Sequence, residues 1–154
     1  MKIGLVAHDN KKKEMAQFIY AYKMYLEKHE IFATGLTGEL VHEKVGIDIT
    51  IFQPGSLGGN QEMGAMISKN ELDMLLFFRD PINKKTNESD HSELLRLCDF
   101  QKIPVATNMA SAEIFVLGLH KGNVGWREIV QKNREQEIIK KELLKGLNNI
   151  TNIL

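Results

Sequence analysis

Leu72-Asp73-Met74-Leu75-Leu76-Phe77-Phe78 is the most apolar run of the chain, and Arg79-Asp80-Pro81 follows it directly. Its last five residues leave no alternate polar position, so a strand here has both faces out of water. Such a strand belongs in a parallel sheet covered by helices on both sides. The flanks agree. Upstream, Asp48–Gln53 reads as a strand and Asn60–Ser68 as a helix. Downstream, after the polar loop Pro81–Ser89, Asp90–Phe100 reads as a helix, Ile103–Thr107 as a fifth strand and Ser111–Leu119 as a helix. Nearer the start come a strand at Lys2–Ala7, a short strand at Glu30–Thr34, and a helix at Thr37–Val45 with Gly46 placed as its C-terminal stop. Between the first two strands Met15, Phe18, Ile19, Tyr22, Tyr25 and Leu26 recur at three- and four-residue steps, which predicts one face of a single long helix. The reading is a three-layer, doubly wound α/β domain over residues 1–122, with a parallel sheet of about five strands.

Residues 123–154 read as a charged helical extension, packed on the same domain or on a neighbouring subunit. Trp126, Ile129 and Val130 open it, and Ile138, Ile139, Leu143, Leu144 and Leu147 continue at helical spacing. Lys140-Lys141 and Lys145 read as a solvated face, with a subunit contact as the alternative.

The 154 residues carry 20 basic and 20 acidic side chains, so no net field favours nucleic acid or an anionic membrane. No apolar run reaches the roughly 20 residues of a membrane helix, and the apolar start reads as a strand rather than a signal peptide. The single Cys98 excludes an internal disulfide and fits a reducing cytoplasm. Its neighbours Leu97 and Phe100 read it as a packed thiol.

Ligands of such sheets bind beyond the carboxyl ends of the strands. The suggestive polar residues fall there: His8-Asp9, Thr34, Thr37-Gly38, Gly55-Ser56, Asp80 and Thr107-Asn108. Two glycine-rich turns enter helices at adjacent strand ends, Thr34-Gly35-Leu36-Thr37-Gly38 and Gly55-Ser56-Leu57-Gly58-Gly59-Asn60-Gln61-Glu62. Such turns offer backbone N–H groups, and threonines offer hydroxyls, to a phosphate, with Lys12 as counter-charge. The structural alternative makes Gly35 and Gly38 turn residues and Thr37 a helix N-cap. His8 reads as a general acid or electrophile whose tautomer Asp9 sets, or as a strand-end cap. Asp80 reads as a general base in a desolvated strand mouth, or as a turn former. Asp90 with Glu93 is a capping-box pattern, and Glu62 suits the first turn of its helix. Arg96 awaits a phosphate or a carboxylate partner. Lys84-Lys85, in a loop with the makings of a lid, reads as solvent-facing charge.

Ile3–Asp9 (IGLVAHD), Phe32–Gly38 (FATGLTG), Gly55–Gln61 (GSLGGNQ), Phe77–Pro81 (FFRDP), Leu94–Leu97 (LLRL) and Ile103–Asn108 (IPVATN) together resemble methylglyoxal synthase, in order, from about residue 2 to residue 120. The resemblance implies a homohexamer that converts dihydroxyacetone phosphate to methylglyoxal and inorganic phosphate through an enediolate, with no metal or organic cofactor. It implies that Lys12, Thr34, Thr37 and Gly38 hold the phosphate, with Gly55 nearby, and that His8, Asp9, Asp80 and Asp90 line the reacting end. The chain departs from the family at four positions. Asn60 replaces the proton-abstracting aspartate, Asn87 an active-site histidine, Leu36 a hydroxyl residue of the phosphate loop, and Pro54 a serine. A neutral amide takes no proton from carbon. Asp80, Asp90 or Glu62 would therefore have to share the base's work, or the protein is a non-catalytic sensor of a phosphorylated metabolite. A third reading is a lyase or isomerase for another small sugar phosphate.

Overall fold

The computed structural model describes residues 1–82 and 92–151, with side chains up to residue 145. Five strands, β1 (Lys2–Ala7), β2 (Glu30–Ala33), β3 (Thr50–Ile51), β4 (Met74–Phe78) and β5 (Val105–Ala106), form one sheet in the order β3-β2-β1-β4-β5. Each described pairing is parallel, with Leu5 beside Ala33, Ala33 beside Ile51, Ala7 beside Phe78 and Leu76 beside Ala106. β1 and β4 are buried almost throughout, as their apolar runs require. The chain moves outward from β1 to β3, then returns to the other side of β1 for β4. The switch point of this doubly wound sheet therefore lies between β1 and β4.

Successive residues of β4 face opposite helical layers, because side chains alternate along a strand. Phe78 meets Phe18 of α1 (Lys12–Ala21), ring centroids 5.6 Å apart. Leu75 and Phe77 join the cluster that holds Met63 and Ile67 of α4 (Gly59–Ser68) and Leu94 and Cys98 of α5 (Ser92–Gln101). Cys98 is a cysteine buried in that packing. α1 also packs on α3 (Gly35–Val45) and α6 (Met109–His120).

The predicted long helix after β1 is in fact broken. α1 ends at Ala21, and Tyr22, at φ −108° and ψ 16°, separates it from the single turn α2 (Lys23–Leu26). The periodicity survives the break, since Met15, Phe18, Ile19 and Leu26 are all buried. β3 and β5 are shorter than their apolar runs: Asp48–Gln53 yields two paired residues, as does Ile103–Thr107. Both are edge strands, where hydrogen bonding to one neighbour ends the ladder early. Gly46 ends α3 at φ +64°, and its N–H donates to the His42 carbonyl, as its place in the sequence predicts.

The backbone divides into two compact units, Met1–Lys121 and Gly122–Leu154. The second unit is built on α7 (Gly125–Thr151), which exposes Trp126, Ile138, Ile139, Leu143 and Leu144 together with Lys140, Lys141 and Lys145. Among the described residues no helix is long and apolar enough to cross a membrane.

Candidate active site

His8 leaves β1 and Asp80 leaves β4, the two strands that bracket the switch point. Both are buried, 6% and 9% exposed. The backbone N–H of Asp80 donates to His8 Nδ1 at 2.9 Å. That bond leaves the proton of a neutral imidazole on Nε2. The tautomer is therefore set by the Asp80 main chain. This corrects the expectation that Asp9 sets it: the Asp9 carboxylate receives the Lys12 ammonium in a short ion pair one helical turn away. The imidazole meets Phe77 edge-on, with centroids 5.3 Å apart. One Asp80 oxygen, Oδ1, accepts the N–H of Ile82 at 3.0 Å, so the aspartate also shapes its turn. The other, Oδ2, accepts the amide of Asn10 at 2.9 Å. Asn10 went unmarked in the sequence, although it sits two residues past His8 at the same strand end. Lys11 has its pKa raised, first by the hydrogen bond to Glu14 and then by that carboxylate's charge, with Asp80 adding to it last.

The neighbouring strand ends build the second part of the site from backbone. The N-cap of α3 is Thr34, so the helix starts earlier than the sequence suggests and Thr37 lies inside its first turn rather than capping it. The first N–H groups of a helix have no intrahelical acceptor. Gly35 gives its N–H to the Gln53 carbonyl at 3.1 Å, and Gly38 gives its own to Thr34 at 3.0 Å. Those of Leu36 and Thr37 have no backbone acceptor among the described residues, and helix-start N–H groups of this kind suit an anion. The Thr37 hydroxyl, on a residue 1% exposed, is buried with no hydrogen-bond partner among the described residues. A buried unpaired hydroxyl is costly unless a ligand satisfies it. Leu36 projects into solvent instead, 55% exposed.

Pro54 follows β3 and packs on this loop so closely that a Cβ on Gly35 would lie 2.6 Å from its backbone. The Pro54 carbonyl accepts N–H groups from Leu57 and Gly59, closing a 3-10 turn over Gly55–Leu57. Gly58, at φ +115°, then turns the chain into α4. Asn60 stands in the first turn of α4 with its amide against Gly55, where a Cβ would lie 3.2 Å from Oδ1. Glu62 is exposed, and its Oε2 accepts the N–H of Gln53 at 2.8 Å. Asn108 caps α6 by accepting the Ser111 N–H. Arg96 finds a carboxylate: its guanidinium grips the exposed Glu93 one turn away, which raises its pKa and lowers that of Glu93. Asn87, Asp90 and the Lys84-Lys85 loop lie outside the described residues. Among those described, no group of three His, Cys, Asp or Glu is placed to hold a metal ion.

Residues 14–107 match the model of the MGS-like domain. The methylglyoxal synthase of Geobacillus sp. (strain WCH70) is 51% identical over 138 residues, covering 90% of this chain and 98% of that protein. That of Bacillus mycoides (strain KBAB4) is 54% identical over 129 residues, covering 84% and 98%. The chain belongs to the methylglyoxal synthase family. The crystal structure of methylglyoxal synthase from Elizabethkingia anophelis NUHP1 is similar with a TM-score of 0.73, at 36% identity, over 75% of this chain and 76% of that one. The three-layer α/β fold and the resemblance read from the sequence are thus both correct. Membership of the methylglyoxal synthase family makes the chain kin to lyases, and directs attention to the strand-end crevice just described.

Proposed function

We propose that the protein converts dihydroxyacetone phosphate to methylglyoxal and inorganic phosphate. The observation that carries this reading is the pairing of a buried His8–Asp80 unit with a helix N-terminus whose Thr37 hydroxyl has no partner among the described residues. The N–H groups of Leu36 and Thr37, the hydroxyls of Thr34 and Thr37, and the close approach allowed by Gly38 and Gly55 suit a phosphate dianion. Lys12, held by Asp9 at the start of α1, supplies positive charge.

In this reading Asp80 takes a proton from the hydroxymethyl carbon, with Asp90 as the second carboxylate the sequence offers. The electron pair forms a carbon–carbon double bond, and the carbonyl oxygen becomes the enediolate oxygen. The Nε2–H of neutral His8 donates to that oxygen as its charge grows. The terminal hydroxyl then gives up its proton and closes to an aldehyde, the double bond shifts to the phosphate-bearing carbon, and the carbon–oxygen bond breaks with phosphate taking its pair. The enediolate oxygen takes up a proton, and the resulting enol ketonises to methylglyoxal. Asn60 donates a hydrogen bond but takes no proton. The same reading expects a homohexamer in the cytoplasm. Exposed Tyr20, Met24, Leu57 and Ile114 support burial between copies, and light scattering that reads a monomer mass would remove the assembly.

The test is to mix purified protein with dihydroxyacetone phosphate and follow methylglyoxal and phosphate together. Equal amounts of both support the lyase. Neither product, with inorganic phosphate still raising the melting temperature, would replace it with the metabolite-binding reading that the Asn60 amide favours.

A further inference from the structure

Glu62 is an exposed carboxylate whose geometry suits a different task from taking protons. Its Oε2 accepts the N–H of Gln53, nine residues back, at 2.8 Å. The carbonyl of the same Gln53 accepts the N–H of Gly35, the first residue of α3, at 3.1 Å. Gln53 is therefore held from both sides, by α4 at its N–H and by α3 at its carbonyl. The contact is close: a Cβ on Gly59 would fall 1.8 Å from the Gln53 carbonyl oxygen. One residue earlier, the N–H of Phe52 donates to the Ala33 carbonyl at 2.8 Å, just before the Thr34 cap. An N–H bound to a carboxylate makes a stronger bond than one bound to a neutral oxygen. Gln53 carries no sequence signal for this role, because it acts through its main chain.

We infer that Glu62 is a positioning residue: through Gln53 it sets the first turn of α3, and so the aim of the Leu36 and Thr37 N–H groups and the Thr37 hydroxyl. The inference rests on the reading that this turn receives a phosphate. It assigns Glu62 to substrate binding and removes it from the candidates for the base. The mechanism is geometric. Releasing the Gln53 N–H to water costs the fold little at so exposed a site, but donors that must converge on one anion lose affinity when they shift by a fraction of an ångström.

The experiment compares Glu62→Ala, which removes the acceptor, with Glu62→Gln, which keeps an oxygen at the same reach. Inorganic phosphate is titrated calorimetrically, and turnover of dihydroxyacetone phosphate is split into kcat and KM. Glu62→Ala should bind phosphate about tenfold more weakly and raise KM more than it lowers kcat. Glu62→Gln should recover to within about threefold of the parent. In ligand-free protein the backbone amide resonances of Gln53 and Gly35 should move in Glu62→Ala and stay near their places in Glu62→Gln. Unchanged phosphate affinity in Glu62→Ala overturns the inference, as do unmoved Gln53 and Gly35 resonances. A kcat lost equally in both variants overturns it too, by showing that the carboxylate itself handles the proton. A parent protein that binds no phosphate defeats the underlying reading instead, and the amide resonances still decide whether Glu62 holds Gln53 and Gly35.

Discussion

At the ends of β1 and β4 the crevice is held by side chains, whereas at the ends of β2 and β3 it is held by backbone. His8, Asp80 and Asn10 depend on particular atoms at particular reach: an imidazole nitrogen, a carboxylate oxygen, an amide. The turns at Thr34–Gly38 and Gln53–Gly59 depend on main-chain N–H groups, carbonyls, and the absence of Cβ atoms. The two halves therefore tolerate different changes. Leu36 points outward and leaves its N–H in place, and Pro54 contributes its carbonyl and its packing on Gly35. At both positions the main chain does the work, so side-chain identity matters little there. Asn60 is another matter, since a neutral amide cannot take a proton whatever the backbone around it does.

Substitution at each half tests that contrast. The largest effect belongs to the side-chain half: Asp80→Asn should lower turnover of dihydroxyacetone phosphate by about 10²–10⁴-fold while inorganic phosphate still binds. Unchanged turnover would remove Asp80 from the mechanism. In the backbone half Gly59→Ala should cost about 3 kcal/mol or more of stability in chemical denaturation, because the new Cβ meets the Gln53 carbonyl at 1.8 Å. A loss of less than about 1 kcal/mol would show that the two loops are not interlocked. Asn60→Asp joins the halves by adding a carboxylate to the cradle, and should raise turnover about a hundredfold. No gain would mean that the rest of the crevice has diverged as well.

The smallest effect lies at the opposite end of the strands, just before β2, where electrostatics touch stability rather than chemistry. His29 has its pKa lowered, first by burial and then by the charges of the N-terminal ammonium and Lys28. Its Nδ1 lies 3.4 Å from the N-terminal nitrogen. The unfolded chain then binds the proton more readily than the folded one, so stability is full above the ordinary histidine value, about 6.5. It falls as the pH drops through the folded value below that. Melting temperatures at pH 5 and pH 7.5 should differ less in His29→Gln than in the parent. An equal difference would assign the acid sensitivity to other groups.

The order of strands and helices was legible because burial on both faces imposes a continuous apolar run, and burial on one face imposes a helical period. β1 and β4 match their apolar runs closely for that reason. The break at Tyr22 was not legible, since the apolar residues keep their spacing across it. The two short edge strands were overextended for a related reason: apolar residues continue past the point where a neighbouring strand stops offering partners. Within the crevice the residue types at each strand end could be listed from the sequence, yet their pairing could not. Asp9 sits next to His8 in the chain but its carboxylate reaches forward to Lys12, one helical turn along. Asp80, 72 residues away, supplies the N–H that sets the imidazole.

By itself the sequence determined the layered α/β fold, the family and the strand ends that carry polar residues. Those properties are written in composition, periodicity and local order, which each short segment carries alone. Only the tertiary structure decided that Asp80 rather than Asp9 sets the His8 tautomer, that Thr34 rather than Thr37 takes the N-cap position of α3, and that Glu62 grips Gln53. Hydrogen bonds are short and directional, and the parallel sheet brings together strand ends that lie tens of residues apart. Their partners are set by the register of the sheet, which no single segment contains.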